Sequence, residues 1–172
     1  YMPYMVVDAN ASADVGGQGE VETRRYTRGT GDNKETVYDA DVYAVERHID
    51  FITDDLTIEA ASARMSNTQV NTNNVINTIL PFDTENAVRW NANYLTGFTS
   101  EKRDQDVVHT TPELENQLLA IARAQLEPSV SGYDRGVRWE RERLQVHGTR
   151  WVAMYLPVWL YSHLDQREGK NM

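Results

Sequence analysis

The chain has 172 residues, with 26 acidic against 17 basic side chains, a net charge of −9 and an apolar share of 40%. That length suits one domain with its own core, and that composition excludes both a disordered polymer and a membrane bundle. A net acidic surface repels phosphate backbones, and the absence of cysteine excludes disulfides, thiolate zinc sites and a cysteine nucleophile.

Residues 1–55 read as β structure. Tyr1 to Val7 is an apolar run broken only by Pro3. Asp8 to Gly19 is small and polar, with Gly16, Gly17 and Gly19, and is expected to be a loop. Glu20 to Thr27 suits a polar edge strand, and Arg28 to Asn33 a turn. Thr36 to Thr53 is the longest strand candidate. Tyr43, Val45, Ile49 and Phe51 share one face, interrupted by Arg47, while Glu46, His48 and Asp50 lie on the other. That alternation predicts a half-buried antiparallel strand.

Ser66 to Asn74 reads as loop. Val75, Ile76, Ile79 and Leu80 suit a short helix ending before Pro81. Phe82 to Phe98 is expected to be an irregular, packed aromatic segment. The main helix is expected from Pro112 to about Leu126, capped by Thr111, with Leu114, Leu118, Ile121, Ala122 and Leu126 on one apolar face.

Arg138 to Val146 and Trp151 to Ser162 predict two strands around a His147-Gly148-Thr149 turn. The second is apolar on both faces and is expected to be deeply buried, with Trp151, Tyr155 and Trp159, or Val152, Leu156 and Leu160, in the core. Pro157 argues for a bulge or an edge stretch there. Tyr-x-Pro-x-apolar-apolar recurs at Tyr1–Val6 and Tyr155–Leu160. The fold class that results is α+β: a mainly antiparallel sheet packed by one main helix and a short second helix. Residues 1–172 are expected to form a single domain, an internal fragment of a longer protein.

The chemistry-bearing residues are sparse. Asp8-x-Asn10-x-Ser12-x-Asp14 opens like a calcium loop, but Ala13 and Gly19 stand where that loop needs glycine and glutamate. Asp39 and Asp41 alternate on a strand and could hold a divalent ion with a substrate phosphate, yet no P-loop exists to supply a nucleotide. His48 beside Glu46 and Asp50 could be an acid/base cluster or a plain surface charge cluster. The histidines His48, His109, His147 and His163 lack zinc-helix spacing, and no G-x-S-x-G is present. Arg24, Arg25 and Arg28 around Tyr26 form the one basic patch, which could contact nucleic acid or be a salt-bridged edge that discourages strand pairing. Glu140-Arg141-Glu142-Arg143 puts opposite signs on opposite faces, which suits cross-strand pairing.

Several phrases in order carry a resemblance. They are Tyr1-x-Pro3 with Asp8, Val42-Tyr43-x-Val45-x-Arg47, Ala61-Ser62 and Leu80-Pro81-Phe82-Asp83. They continue with Tyr94-Leu95-x-Gly97-Phe98 and Leu156-Pro157-Val158-Trp159-Leu160-Tyr161. This order resembles a bacterial family, mainly of high-GC Gram-positive organisms, with an N-terminal transcription-factor-B-type zinc ribbon and undefined function. Some members are labelled primosomal helicase-like. The resemblance implies that ribbon cysteines would precede Tyr1, and that a further strand and in some members a membrane helix would follow. It implies no catalytic residue, and the chain has neither the P-loop nor the length of a helicase motor.

The resulting expectation is a non-catalytic scaffold or interaction module of a larger bacterial protein. The alternatives are a metal- or carboxylate-dependent hydrolase using Asp39, Asp41 or His48, and an accessory module of a nucleic-acid-binding protein. No cofactor or metal is expected in this chain, with zinc only in the absent ribbon. A protein partner is expected, with no nucleic acid bound by this fragment, and with either self-association through the C-terminal strand or poor order over residues 165–172. The start lacks the basic and apolar regions of a signal peptide, and the longest apolar run, Trp151 to Tyr161, falls well short of the ~20 residues that span a bilayer. A cytoplasmic location is expected, with membrane association only through absent flanks.

Overall fold

The computed structural model describes residues 1–61, 87–98, 100 and 103–157. Its frame is a three-stranded antiparallel sheet in the order β2-β1-β3. The strands are β1 (Met2–Arg28), β2 (Glu35–Glu59) and β3 (Val137–Leu156). One helix, α1 (Val107–Leu126), covers a single face of the sheet. The remaining helical pieces among the described residues are 3₁₀ turns at Gly31–Asn33, Ala92–Leu95 and Glu127–Val130. The short helix expected over Val75 to Leu80 and the loop over Ser66 to Asn74 lie outside the described residues, as do Trp159, Leu160 and residues 165–172. Among the described residues no helix is long and apolar enough to cross a membrane.

The central strand corrects the expected loop at Asp8 to Gly19. Those residues pair continuously with β2 on one side and β3 on the other. Their physical signature is alternation, not hydrophobic content. Ala9, Ala11, Ala13 and Val15 point to the helix and are buried, whereas Asn10, Asp14 and Gln18 on the opposite face are exposed. Small residues on the helix side let α1 approach the sheet closely. Leu114, Leu118 and Ala122 of α1 pack there with Met5, Val7, Phe51 and Ile58.

Two glycines mark close approaches farther along this face. A side chain at Gly17 would run into the Arg138 carbonyl, and one at Gly19 would run into the Tyr133 ring. Beyond Gly19, where β3 begins, β1 and β2 continue alone as a two-stranded arm. The loop at residues 133–136 clamps the base of the arm. Gly136 accepts from Glu20 N, Glu20 accepts from Arg135 N, and Asp134 Oδ1 accepts from Glu22 N at 2.8 Å.

The helix starts five residues before the expected Pro112. Asp106 caps it, its carboxylate accepting from His109 N at 3.0 Å. Pro112 therefore sits inside the helix and cannot donate to a carbonyl four residues back. Upstream, the hydroxyls of Thr110 and Thr111 bond the carbonyls of Asp106 and Val107.

β3 is also one strand, not two. His147 is an unpaired residue in a β-bulge, since Asn10 pairs with Gly148 and Ala11 with Val146. Its stretch from Trp151 to Leu156 is half-buried rather than deep, because among the described residues it has a neighbouring strand on one side only. A further irregularity falls in β2, where Asp55 has φ 56° and its N–H donates to Asp8 Oδ1 at 3.0 Å. Asp8 thus holds a bulge.

Candidate functional site

The polar side chains gather on the face of the sheet opposite α1. Register decides which of them meet. Asp14 of β1 lies beside His48 of β2 and Arg143 of β3; Ser12 lies beside Asp50 and Gln145; Gly16 lies beside Glu46 and Arg141.

His48 sits between two carboxylates. Its Nδ1 is 2.6 Å from Asp14 Oδ1 and its Nε2 is 3.2 Å from Asp50 Oδ1. The hydrogen bond to Asp14 lifts the imidazole above its ordinary value, and the charges of Asp14 and Asp50 add to it. The cation is the form that donates from both nitrogens, so the two carboxylates favour the imidazolium. Ser12 Oγ and His147 Nε2 are 2.8 Å apart, and Ser12 is 4% exposed. Among the described residues no carboxylate pairs with His147, so the Ser–His pair lacks the acid that would orient a catalytic histidine.

A third contact spans the whole width of the sheet. Arg141 of β3 reaches Glu46 of β2 at 2.5 Å, above Gly16 of the central strand. The cross-strand pairing expected of residues 140–143 holds for Arg141 but not for Glu142. Arg141 takes this partner on the open face, and Glu142 pairs with Arg123 of α1 on the other.

The other sequence-predicted residues lie elsewhere. Asp39, Asp41, Arg24, Arg25 and Arg28 all belong to the two-stranded arm. Asp41 is seven residues from His48 along β2, roughly 23 Å at the usual rise per residue, so the three hydrolase candidates do not converge. Arg24 faces Asp39 across the arm and Arg28 faces Glu35. Arg25 makes a two-pronged pair with Glu22 at 2.9 and 3.0 Å, and Arg24 lies over the Tyr26 ring at 5.1 Å. The arginine patch is thus laced into the arm's own acids and ring, not arrayed along a groove. Asp8, Asn10, Ser12 and Asp14 are strung along one strand face, about 20 Å from end to end, and do not surround a common point. Among the described residues no group of three or more ligating side chains converges on a metal position.

A second region lies at the other end of β3. A cleft of ≈ 720 Å³ is lined by Tyr1, Trp90, Tyr94, Met154, Tyr155 and neighbouring apolar residues. The Trp90 and Tyr155 rings stack at 4.4 Å, and the Arg103 guanidinium lies 4.9 Å from the Tyr155 ring. Arg103 also donates to the carbonyls of Tyr4 and Met154, so it buttresses the sheet here.

No family model, curated protein or solved structure matches this chain. The arrangement of its own side chains therefore carries the functional argument. Sequence reasoning did not pair Asp14 with His48, Ser12 with His147, or Arg141 with Glu46. The period-two alternation through residues 8–19 was the signal that could have placed Asp14 and Ser12 on a common face.

Proposed function

We propose that this chain is a non-catalytic interaction module of a larger bacterial protein. The observation that carries this reading is that the polar groups of the open face are engaged with one another across strands. His48–Asp14 joins β2 to β1, Ser12–His147 joins β1 to β3, and Arg141–Glu46 joins the two outer strands. Side chains spent in this way hold a long, narrow sheet together; they do not converge on a substrate. The outer edges of β2 and β3 carry no further strand among the described residues, and such edges are where a protein partner adds. The expected self-association through the C-terminal strand belongs to the same reading, as do the cytoplasmic location and the short second helix.

A hydrolase is the second reading, favoured by the short Ser12–His147 contact alone. Turnover of activated esters and phosphate monoesters separates the two. The module reading expects the wild type to match a Ser12→Ala, His48→Gln variant. Turnover that is present in the wild type and lost in the variant contradicts it.

A further inference from the structure

The two outer strands carry opposite charge. β2 holds eight carboxylates and one arginine, whereas β3 holds four arginines and two glutamates. Both run antiparallel to β1, so they run parallel to each other. The strands are long, and no strand covers either outer edge among the described residues. Backbone donors and acceptors along such an edge are a template for another chain.

Three pairings between copies of this chain are conceivable, and charge separates them. If two β3 edges met about a two-fold axis, residues facing each other would share a sheet face. Arg141 and Arg143 lie on the open face and Glu142 lies on the helix face, as their partners Gly16, Asp14 and Val15 dictate. Centred on Glu142, that contact sets Arg141 against Arg143 and Glu142 against its own copy; centred on Arg143, it sets Arg143 against its own copy. Two β2 edges would bring together two strands of net negative charge, with Glu46 against Asp50 when centred on His48. Like charges directly opposite destabilise a strand pair. The remaining pairing, β2 of one copy on β3 of the next, brings the strand rich in carboxylates against the one rich in arginines: in the level register Glu46 faces Arg141, His48 faces Arg143, and Asp50 faces Gln145, diagonal to Arg143. Glu46 and Arg141 lie level with each other on either side of Gly16, so a copy translated across the sheet brings the two side by side without a central strand between them.

Bulges confine where this can happen. β3 is regular from Arg141 to Val146, between the unpaired residues Glu140 and His147. β2 is unbroken from Val42 to Thr53. Six residues is an ordinary strand-pairing length. We propose that a second copy of this chain docks its β2 edge, around Glu46 and Asp50, onto the β3 edge at Arg141–Val146 of the first. The contact is head-to-tail, so it leaves one free edge of each kind and propagates as an open ribbon. The proposal rests on the interaction-module reading and names its partner.

Sedimentation velocity of the intact chain across concentration, at low and at high salt, is the test. Whole multiples of the 19.7 kDa chain are expected at low salt, dissolving at high salt. An Arg141→Glu, Arg143→Glu variant and a Glu46→Lys, Asp50→Lys variant are each expected to stay monomeric alone, and their equimolar mixture to associate again. Circular dichroism confirms that each variant is folded. Should either fail to fold, amide exchange of the wild type decides instead: protection at Arg141–Val146 is expected to rise with concentration at low salt. A wild-type chain that stays monomeric at low salt up to its solubility limit overturns the proposal. So do variants that associate alone as the wild type does. Either result leaves the module reading in place, since that reading falls on substrate turnover, not on oligomeric state.

Discussion

Arg141 and Glu46, residues of the two outer strands, meet above Gly16 of the central strand. A methyl group at Gly16 would lie 2.8 Å from the Arg141 guanidinium and 3.0 Å from Glu46 Oε1, both flexible side-chain ends in solvent. At Gly17 the obstacle is the Arg138 backbone, which cannot swing aside. Gly16→Ala is therefore expected to change stability by less than about 1 kcal/mol, since an exposed ion pair contributes little. Gly17→Ala is expected to destabilise by about 1–3 kcal/mol, as overpacking does. Denaturant melts of the two variants check the difference.

The seat of α1 gives a second expectation. Leu118 is fully buried against the alanine row of β1. Leu118→Ala is expected to cost about 2–5 kcal/mol through lost burial and the cavity left behind. Ala11→Leu attacks the same contact from the sheet side and is expected to cost about 1–3 kcal/mol by forcing the helix outward. A melting midpoint unchanged in either variant would show that the helix does not seat on this row.

Asp106, not Thr111, caps the helix. The backbone N–H of His109 lowers the Asp106 carboxyl below its ordinary value, and the His109 side chain adds to this. A lowered folded value means that the cap's contribution is present above the unfolded carboxylate range and is lost as pH falls through the folded value. Asp106→Asn is expected to flatten that acid limb of the melting curve, while Thr111→Val leaves it in place. Thermal melts across acid pH follow both.

His48 moves the other way. Its folded value lies above the unfolded one because of the Asp14 hydrogen bond. Its contribution is complete below the unfolded value of about 6.5 and is lost as pH rises through the raised folded value. His48→Gln is expected to remove a decline in melting temperature on the alkaline side of that range. A wild-type melting temperature that rises there instead would contradict the sign.

What the sequence made legible follows the range of each signal. Val45, Ile49 and Phe51 announced β2 because the alternation lies within a few residues, and Arg47 among them is accounted for by its bonds to Ser129 beyond the helix. The row Ala9, Ala11, Ala13 was hidden because alanine and glycine look like loop by composition; only their burial under Leu114 and Leu118 makes them strand. Pro112 misled because proline favours a first helical turn, whereas here the Asp106 cap lies farther upstream. The His147-Gly148 pair looked like a turn but is a bulge, a distinction made by the continuous partner strand β1. At the site, Asp50 was legible as a neighbour of His48 at two residues along one strand. Asp14 is 34 residues away, and only the register of β1 on β2 brings it to the ring.

On the open face His48 ties β2 to β1 through Asp14, and the ring itself reports that tie most directly. An NMR titration of its imidazole in the wild type and in Asp14→Asn is the measurement. The account predicts a wild-type value above the ordinary histidine range that falls back in Asp14→Asn and does not respond to Asp39→Asn or Asp41→Asn. A wild-type value at or below the ordinary range, or one unchanged in Asp14→Asn, would mean that Asp14 does not hold the ring, and would contradict it.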